Sequence, residues 1–254
     1  MIHLVMLKFD PHSSKARDLV ESLMRHFEPS SLPDDICVVV GGDGYLLSVI
    51  AELGDEYTYL GLNSGSLGFM LNDVGNLEES AALLKEGKWS AHRVPRLSMT
   101  ATTPQGESLS GLALNDVYLE RMTGQTTHLR VRINGVRVVD RMVCDGLILS
   151  TALGSTAYSF SAGGTACHPE LRLMQLTAIC PHAPRLPPIT LPLNAQVDIE
   201  VLDCEKRPAR VVTDGADHPG VNRVLVANSG ADVSLAFLEN HDPTATLIRK
   251  VILT

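Results

Sequence analysis

The sequence lacks several features by which common protein classes are recognised. Its 254 residues contain no run of about 18 apolar residues, so we expect no membrane-spanning segment and no membrane partner. The net charge is −8, whereas a nucleic-acid-binding protein would present a basic patch, so we expect no nucleic-acid partner. The five cysteines form no C-x-x-C pair. This usage predicts reduced thiols in a cytoplasmic protein rather than a disulfide framework or a zinc site.

Familiar catalytic motifs are also missing. The chain has no G-x-x-x-x-G-K-[ST] loop, no G-x-S-x-G serine motif and no H-E-x-x-H zinc motif. The glycines at residues 41–44 do not form the dinucleotide fingerprint G-x-G-x-x-G, because Leu47 stands where the third glycine is needed. The N-terminal residues lack the apolar region and cleavage site of a signal peptide, and they read better as a first strand.

The most informative segment is a glycine-rich turn. An apolar run at residues 36–40 stops at Gly41-Gly42-Asp43-Gly44, and apolar residues at helical spacing follow, which predicts a strand, a tight turn and a helix. Without side chains at three positions, backbone N–H groups can approach a phosphate near a helix N-terminus. The carboxylate of Asp43 repels phosphate, and phosphoryl transfer to a hydroxyl would use it to hold a metal or to take a proton. The alternative is a glycine turn whose aspartate caps the helix.

The first third of the chain alternates strand and helix patterns. Strand patterns at residues 2–7, 36–40 and 57–62 are separated by helix patterns, and Asn76 with Glu79 resembles a capping box. Ser13 or Ser14 is expected to cap the first helix, whose apolar face would consist of Leu19, Val20, Leu23, Met24 and Phe27. Alternating strands and helices predict a parallel sheet, and ligands bind at the carboxyl ends of its strands. We therefore predict that both glycine-containing loops of this region face a ligand.

Strand patterns dominate the rest of the chain. Apolar and polar residues alternate over residues 129–138 around Asn134-Gly135, which predicts a β-hairpin with a type I′ turn. Further short strands between proline-rich loops predict a β-rich domain of two packed sheets. They are expected at residues 146–150, 197–202, 210–212 and 224–226. The expected fold class is an α/β nucleotide-binding domain with a parallel sheet plus a β-rich second domain. The predicted boundaries are residues 1–92, to which residues 233–254 return, and residues 93–232.

Two polar segments of the second domain are candidates for ligand binding. Residues 145–164 are dense in small hydroxyl-bearing side chains around Tyr158, which suits a ligand rich in hydroxyls and amides. The alternative there is a close-packed turn region with a buried tyrosine. Asn115 and Asp116 stand in an apolar run, where they are costly unless they bond a partner such as sugar hydroxyls or an adenine amino group. The alternative there is a β-bulge or an Asx turn at a strand end.

Four segments together resemble the NAD kinase family in their order and spacing, and the resemblance covers roughly residues 36–220. The glycine turn is shared with phosphofructokinases and lipid kinases, whereas the segment from Asp145 is specific to the family. The resemblance implies transfer of a phosphoryl group from ATP, or from polyphosphate, to the 2′-hydroxyl of the adenosine ribose of NAD. It also implies a divalent metal, expected to be Mg²⁺, and a homo-oligomer, either a dimer or a tetramer. The four segments are residues 41–44, 63–69, 115–116 and 145–164, and Pro181-His182 and Asp214-Gly215 also resemble family positions.

On the phosphate side, the resemblance implies roles for five residues. Asp43 would be the general base that deprotonates the ribose 2′-hydroxyl, or would order that hydroxyl beside the metal. Gly41, Gly42 and Gly44 would give the phosphates room, and Asn63 with its loop would help hold them.

On the acceptor side, the resemblance implies that Asn115 and Asp116 read the adenosine end of NAD. Asp145 would contact the dinucleotide. The residues expected to line the dinucleotide pocket are Thr156, Ala157, Tyr158 and Ser161.

The chain departs from the family pattern at several positions. Tyr45 stands where the family usually has Thr, Asp116 where it has Glu, and Leu153 and Ala216 are also atypical. Two other functions compete with NAD phosphorylation. One is another kinase with the same glycine turn, acting on a lipid or a sugar, and the other is a non-catalytic regulator that binds NAD(H) or NADP(H).

Overall fold

The chain forms two compact units. The computed structural model describes residues 6–28, 32–65 and 68–252. The first unit consists of Met1–Val94 with Asp232–Thr254, and the second of Pro95–Ala231. Part of the strand expected at residues 2–7 lies outside the described residues, which begin at Met6.

The first unit begins with alternating strands and helices. Strands β1, β2 and β3 pair in parallel in that order, and β4 pairs in parallel with the end of β3, so the predicted parallel sheet is confirmed. All six residues of β2 are buried, as expected of a strand covered on both faces. In chain order the elements are β1 (Met6–Phe9), α1 (Ser14–Leu23), β2 (Ile36–Gly41), α2 (Asp43–Leu53), β3 (Thr58–Asn63), β4 (Asn72–Asp73) and α3 (Leu77–Lys85).

Side-chain caps set the starts of two of these helices. The Ser13 hydroxyl accepts from the Ala16 N–H at the start of α1, and the Asn76 side chain accepts from two N–H groups at the start of α3. The capping residues predicted for both helices are thereby confirmed. Met24, expected on the buried face of α1, is the C-cap residue after Leu23 and is 46% exposed, whereas Phe27 of the same expected face is buried.

The second unit is built almost entirely of antiparallel strands. One sheet has the order β12-β11-β10-β7-β14-β15, and the other contains β9, β8, β13 and β16 together with β5 and β6. The strands are β5 (Trp89–Thr102), β6 (Ser108–Ala113), β7 (Asp116–Arg121), β8 (Thr127–Ile133), β9 (Val136–Cys144), β10 (Gly146–Thr151), β11 (Leu173–Ile179), β12 (Ile189–Pro192), β13 (Val197–Leu202), β14 (Ala209–Thr213), β15 (Ala216–Val221) and β16 (Arg223–Leu238).

An apolar core lies between the two sheets of the second unit. Leu129 and Ile199 from one sheet and Leu149 and Leu176 from the other belong to one cluster of buried residues. The prediction of two packed sheets is therefore confirmed, and burial of this cluster is the main stabilising contribution to the unit.

Several elements differ from the predictions. The strand expected at residues 224–226 is β16, which has 16 residues and continues into the first unit, where Ser234 pairs in parallel with Thr58. Asn115 and Asp116 do not lie inside one strand, since β6 ends at Ala113 and β7 begins at Asp116. Residues 145–164 form β10, a 3₁₀ turn (Gly154–Thr156) and the single-turn helix α4 (Tyr158–Ser161) rather than β-turns alone.

The described chain ends in the helix α5 (Pro243–Ile252), which belongs to the first unit. The Asp242 carboxylate accepts from the N–H groups of Thr244 and Ala245 and so caps the start of this helix. Within the described ranges, no helix combines the length and the apolar character needed to cross a membrane.

Candidate functional site

The glycine turn of the first unit joins the end of β2 to the start of α2. Gly42 is the N-cap residue of α2 and Asp43 is its first residue. A Cβ atom added to Gly42 or Gly44 would meet no atom within 4 Å, and a Cβ atom added to Gly41 would lie 2.9 Å from the Tyr45 ring. The protein itself therefore requires glycine only at Gly41, and the space beside the other two glycines is free for a ligand.

The carboxylate of Asp43 holds the loop that follows β3. One of its oxygens accepts from the Phe69 N–H at 2.8 Å, and the other accepts from the Met70 N–H at 3.1 Å. Two backbone donors stabilise the charged form of a carboxylate. An ionised carboxylate has about four lone-pair sites, so a carboxylate in this position combines a structural role with the chemical ability to take a proton.

Asn63 lies beside the glycine turn, at the carboxyl end of β3. It is paired with Gly41 in the sheet, and Ser64 donates its N–H to the Gly41 carbonyl. The Asn63 side chain accepts from the Gly65 N–H and donates to Asp73, both at 2.9 Å. Both polar atoms of the amide are therefore engaged in holding the loop. Residues 66 and 67 of this loop lie outside the described residues.

The described parts of the chain contain no group of three or more His, Cys, Asp or Glu side chains that would chelate a metal ion. A protein-built metal centre therefore does not fit these residues. Mg²⁺ in nucleotide sites is commonly held by one or two carboxylates together with substrate phosphates and water. The single carboxylate of Asp43 fits a metal ion that arrives with a nucleotide as part of the substrate.

In the second unit, Asn115 and Asp116 occupy the link between β6 and β7. The Asp214 carboxylate, from the loop between β14 and β15, accepts from the N–H groups of both residues at 3.0 and 3.1 Å. Thr151, at the end of β10, donates its N–H to the Asn115 carbonyl at 2.9 Å. Three separate segments of the chain therefore meet at this link.

The side chain of Asp116 is only 5% exposed, and no hydrogen bond to its carboxylate is found within the described residues. Burial, with a smaller contribution from the nearby charge of Asp214, raises the pKa of the Asp116 carboxyl to about 7. Ser150 is paired with Asp116 in the sheet, and its buried hydroxyl has no partner in the described part of the chain. Such a carboxyl group is suited to bonding a ligand that carries hydroxyl or amino groups.

Tyr158, which was expected to line the dinucleotide pocket, packs edge-on against a second tyrosine, Tyr118, with ring centroids 5.1 Å apart. Burial raises the pKa of both hydroxyls. Asp145 forms an ion pair of 2.8 Å with Arg121. Thr156 and Ala157 are half-buried and Ser161 is exposed, whereas Ser155 and Ser159 of this segment are buried.

Each unit brings its own candidate residues together. In the first unit Asn63 is paired with Gly41 of the glycine turn, and Asp43 bonds Phe69 and Met70 of the loop that follows Asn63. In the second unit, antiparallel pairing of β7 with β10 joins the link at Asn115 to the segment that begins at Asp145. Sequence reasoning did not single out three side chains that hold these residues, namely Asp73, Tyr118 and Arg121, and it noted Asp214 only through the resemblance to the family.

A separate cavity of the second unit, of about 470 Å³, contains none of the predicted site residues. It is lined by Thr102, Arg132, Glu200, Asn222 and Arg223. Its arginines are engaged in ion pairs, including the pair of Arg223 with Asp198 at 2.8 Å. The cavity is therefore not a candidate for the site.

Comparisons with known proteins agree on one family. Residues 114–236 match the model of the ATP-NAD kinase C-terminal domain. The chain is 36% identical to an NAD kinase of Rhizobium meliloti strain 1021 over 199 residues, which are 77% of this chain and 76% of that protein. It is 33% identical to an NAD kinase of Mesorhizobium japonicum over 235 residues, or 90% of each. The chain belongs to the NAD kinase family.

Two solved structures share the fold. The structure of yeast NADH kinase complexed with NADH superimposes with a TM-score of 0.82 at 20% identity, covering 98% of this chain and 87% of that one. The structure of an NAD kinase from Archaeoglobus fulgidus in complex with ATP superimposes with a TM-score of 0.76 at 26% identity, covering 97% and 98%. The solved structures confirm the predicted fold class. The relatives confirm the prediction that the protein is a phosphotransferase of the NAD kinase family.

Proposed function

We propose that the protein transfers the γ-phosphoryl group of ATP to the 2′-hydroxyl of the adenosine ribose of NAD. The observation that carries the proposal is the Asp43 carboxylate at the first turn of α2, between two glycines that have open space beside them. Membership in the NAD kinase family supports NAD as the acceptor. The ATP bound by the Archaeoglobus fulgidus relative supports ATP, ahead of polyphosphate, as the donor.

In the proposed reaction the first unit binds the phosphates and supplies the base. The positive end of the α2 dipole and the space beside Gly42 and Gly44 receive the phosphates, which arrive with Mg²⁺. Asp43 accepts the proton of the ribose 2′-hydroxyl as the 2′-oxygen attacks the γ-phosphorus of ATP. A new oxygen–phosphorus bond forms, the bond to the β-phosphate oxygen breaks, and ADP leaves.

The second unit is proposed to bind the acceptor. Asn115 and the buried Asp116 bond the adenosine end, and Asp145, with its partner Arg121, contacts the dinucleotide. The pocket-lining role of Thr156, Ala157, Tyr158 and Ser161 is part of the same proposal. Asn63 acts by holding its loop, since both of its polar side-chain atoms are engaged. We also propose a cytoplasmic homo-oligomer.

Replacement of Asp43 tests the assignment of the base. Asp43→Asn removes the proton acceptor, so we expect NADP⁺ formation to fall about 10²- to 10⁴-fold while NAD⁺ and ATP still bind. Rates are followed with an NADP-specific dehydrogenase, and binding is measured by calorimetry with one nucleotide at a time. The matched control is Asp18→Asn, the same change at an exposed position of α1. Full turnover by Asp43→Asn would contradict the assignment.

The bonds from Phe69 and Met70 give Asp43 a structural role as well, and this favours one alternative function. A regulator that binds NAD(H) or NADP(H) would retain the aspartate to hold the loop. Tight dinucleotide binding without turnover, with ATP and polyphosphate both tried as donors in the presence of Mg²⁺, would support that alternative over catalysis.

A further inference from the structure

The three residues 114–116 are held by their backbone to an unusual degree. The N–H groups of all three donate to the Asp214 carboxylate, that of Leu114 at 2.5 Å and the other two at 3.0 and 3.1 Å. The Leu114 carbonyl accepts from the Thr151 hydroxyl at 2.7 Å, and the Asn115 carbonyl accepts from the Thr151 N–H at 2.9 Å. The Asp116 carbonyl accepts from the Asp214 N–H at 3.2 Å. Two residues therefore bind all six backbone polar groups.

The chemistry of these bonds requires a carboxylate. Three converging N–H donors need an acceptor with two oxygens, and an ionised carboxylate has about four lone-pair sites and no hydrogen to oppose them. Bonds to a charged acceptor are also stronger than neutral ones. The nearby guanidinium of Arg96 also favours the charged form, although burial is the largest influence and raises the pKa of Asp214 overall.

The backbone of Asp214 is shaped for this task. Asp214 and Gly215 have φ angles of 44° and 92°, the left-handed region required at both central positions of a type I′ hairpin turn. The turn joins β14 to β15, which pair from Thr213 with Ala216. A non-glycine residue at positive φ is uncommon, and aspartate is among those that tolerate it.

The opposite side of the segment is fixed by close packing. Gly154 lies so near that a Cβ atom placed on it would be 2.1 Å from the Asn115 carbonyl oxygen. The Gly154 N–H donates to the Thr151 hydroxyl at 3.1 Å, the same hydroxyl that donates to Leu114. Residues 114–116 are thus enclosed between the Asp214 turn and the Thr151 turn.

We propose that Asp214 is a positioning residue that fixes Asn115 and Asp116 for the adenosine end of the acceptor and thereby sets the affinity for NAD but not for ATP. The inference rests on the proposed function, because that function assigns the adenosine end to these two residues. The need for positioning is greatest at Asp116, whose buried carboxylate has no hydrogen-bond partner within the described residues and therefore depends on its backbone for its direction.

The test compares Asp214→Asn with the wild type in binding measurements that need no turnover. Asparagine offers one acceptor oxygen and points N–H groups at the backbone donors, so at least one of the three bonds is lost. Loss of such a bond predicts that the dissociation constant for NAD⁺ rises about tenfold or more, and that for ATP changes less than about twofold. The matched control is Asp217→Asn on β15, where the carboxylate is exposed and paired with Arg210. We expect wild-type affinities for both nucleotides.

Two results would overturn the inference. One is an Asp214→Asn protein that binds NAD⁺ as tightly as Asp217→Asn does. The other is an equal loss of affinity for NAD⁺ and ATP, which indicates a general loss of structure rather than positioning. Wild-type protein that binds NAD⁺ but forms no NADP⁺ would contradict the proposed function alone. If the wild type forms NADP⁺ but Asp214→Asn loses affinity for NAD⁺ and ATP equally, this inference alone would be contradicted.

Thr151 provides a second test if Asp214→Asn does not fold. Thr151→Val keeps the shape of the side chain but removes the hydroxyl that bonds Leu114 and Gly154, so the same selective loss of NAD⁺ affinity is expected. Thr151→Ser keeps the hydroxyl and is expected to restore wild-type affinity. Equal affinities for NAD⁺ in the valine and serine variants would overturn the inference.

Discussion

At the turn between β2 and α2, the reason for glycine differs from one residue to the next. Gly41 is confined by the ring of Tyr45, whereas Gly42 and Gly44 have open space around them and ordinary φ angles. Because the fold does not need glycine at these two positions, their requirement is expected to come from the ligand. The Tyr45 ring, which takes the place of the smaller residue usual in the family, thus limits what position 41 can hold.

Gly44→Ala separates stability from function. Alanine is favoured over glycine inside a helix by up to about 1 kcal/mol, so we expect thermal stability to be unchanged or raised. The added methyl group occupies the space proposed for the phosphates, so we expect the KM for ATP to rise about tenfold, a loss of about 1.4 kcal/mol of binding. Differential scanning calorimetry and steady-state kinetics measure the two effects.

The matched control for Gly44→Ala is Gly124→Ala. Gly124 likewise has open space and no positive φ, but it lies in the loop between β7 and β8 of the second unit. We expect an unchanged KM for ATP in that variant. An unchanged KM for ATP in Gly44→Ala would show that the phosphates do not occupy the space beside this residue.

The buried carboxyl of Asp116 gives a pH dependence of stability. Its pKa is about 7 in the folded chain and near 4 when unfolded, so between these values the folded chain binds more protons. The contribution of Asp116 to the free energy of unfolding therefore falls as pH rises from about 4 to about 7. Asp116→Asn removes this dependence, so we expect it to be more stable than the wild type at pH 8, by on the order of 2–4 kcal/mol, and not at pH 4.

Asp198→Asn is the control of opposite sign. The Arg223 guanidinium, bonded to Asp198, lowers the pKa of that carboxyl, so its contribution to stability is present at neutral pH and is lost as pH falls through its folded pKa. We expect this variant to be less stable than the wild type at pH 8. The free energy of unfolding of both variants is measured with denaturant at pH 4 and pH 8. Equal free energies for the wild type and Asp116→Asn at pH 8 would contradict the claim that a buried charge at Asp116 destabilises the folded chain.

The sequence pointed to individual site residues more readily than to the residues that hold them. Asp43 stands out because a carboxylate between glycines is chemically conspicuous, and Asn115 with Asp116 stands out in an apolar run. Arg121 was not singled out, and the contact of Asp214 with residues 114–116 was not predicted, because each residue meets its partner only through pairing of distant strands. An Asp-Gly pair is a known hairpin signal, and at Asp214 it would have located the turn but not its contact.

At the level of elements, helix α5 is connected to the loop after β3. Arg249 on α5 donates to Asp73 at 2.5 Å, and Asp73 in turn accepts from Asn63 at 2.9 Å. Asn63 accepts from the Gly65 N–H at 2.9 Å. The C-terminal helix therefore orients the amide that holds the loop beside the glycine turn.

Arg249→Gln tests this connection. Arg249 is 59% exposed, so its loss is expected to lower the free energy of unfolding by no more than about 1 kcal/mol. We expect a larger effect on the donor, with the KM for ATP raised about two- to tenfold because the loop is held less firmly, a loss of about 0.4–1.4 kcal/mol. The control is Arg17→Gln, an exposed position on α1. Equal kinetic constants for the two variants would show that α5 does not act on the loop.

Local signals predicted the elements that local interactions determine. The Asn134-Gly135 turn has φ angles of 51° and 79°, the type I′ geometry that the pair favours, and Asn76 caps α3 as its sequence suggests. Strand β16 is longer than predicted, because the polar residues in its middle show no strand pattern, while pairing with β13 and β3 keeps the strand continuous. The turns at Gly154 and Tyr158 are too short to show helical periodicity.

At the level of the whole molecule, the alternation of strand and helix followed by uninterrupted strand patterns was sufficient to predict the architecture. The parallel pairing of β1, β2 and β3 follows from their connection through helices, and the two sheets of the second unit follow from strands with one buried face. The sequence could not give the strand order in the six-stranded sheet, which places β7 between β10 and β14 and so creates the enclosure of residues 114–116.

The measurement that tests the central claim most directly is the identity of the product. The wild-type protein is incubated with Mg²⁺, ATP and NAD⁺, and the mixture is followed by ³¹P NMR together with an NADP-specific dehydrogenase. We predict a new phosphomonoester signal of NADP⁺ that grows with ADP and is absent with Asp43→Asn. Formation of ADP and inorganic phosphate alone, or no reaction with ATP or polyphosphate, would contradict the claim that this chain phosphorylates NAD.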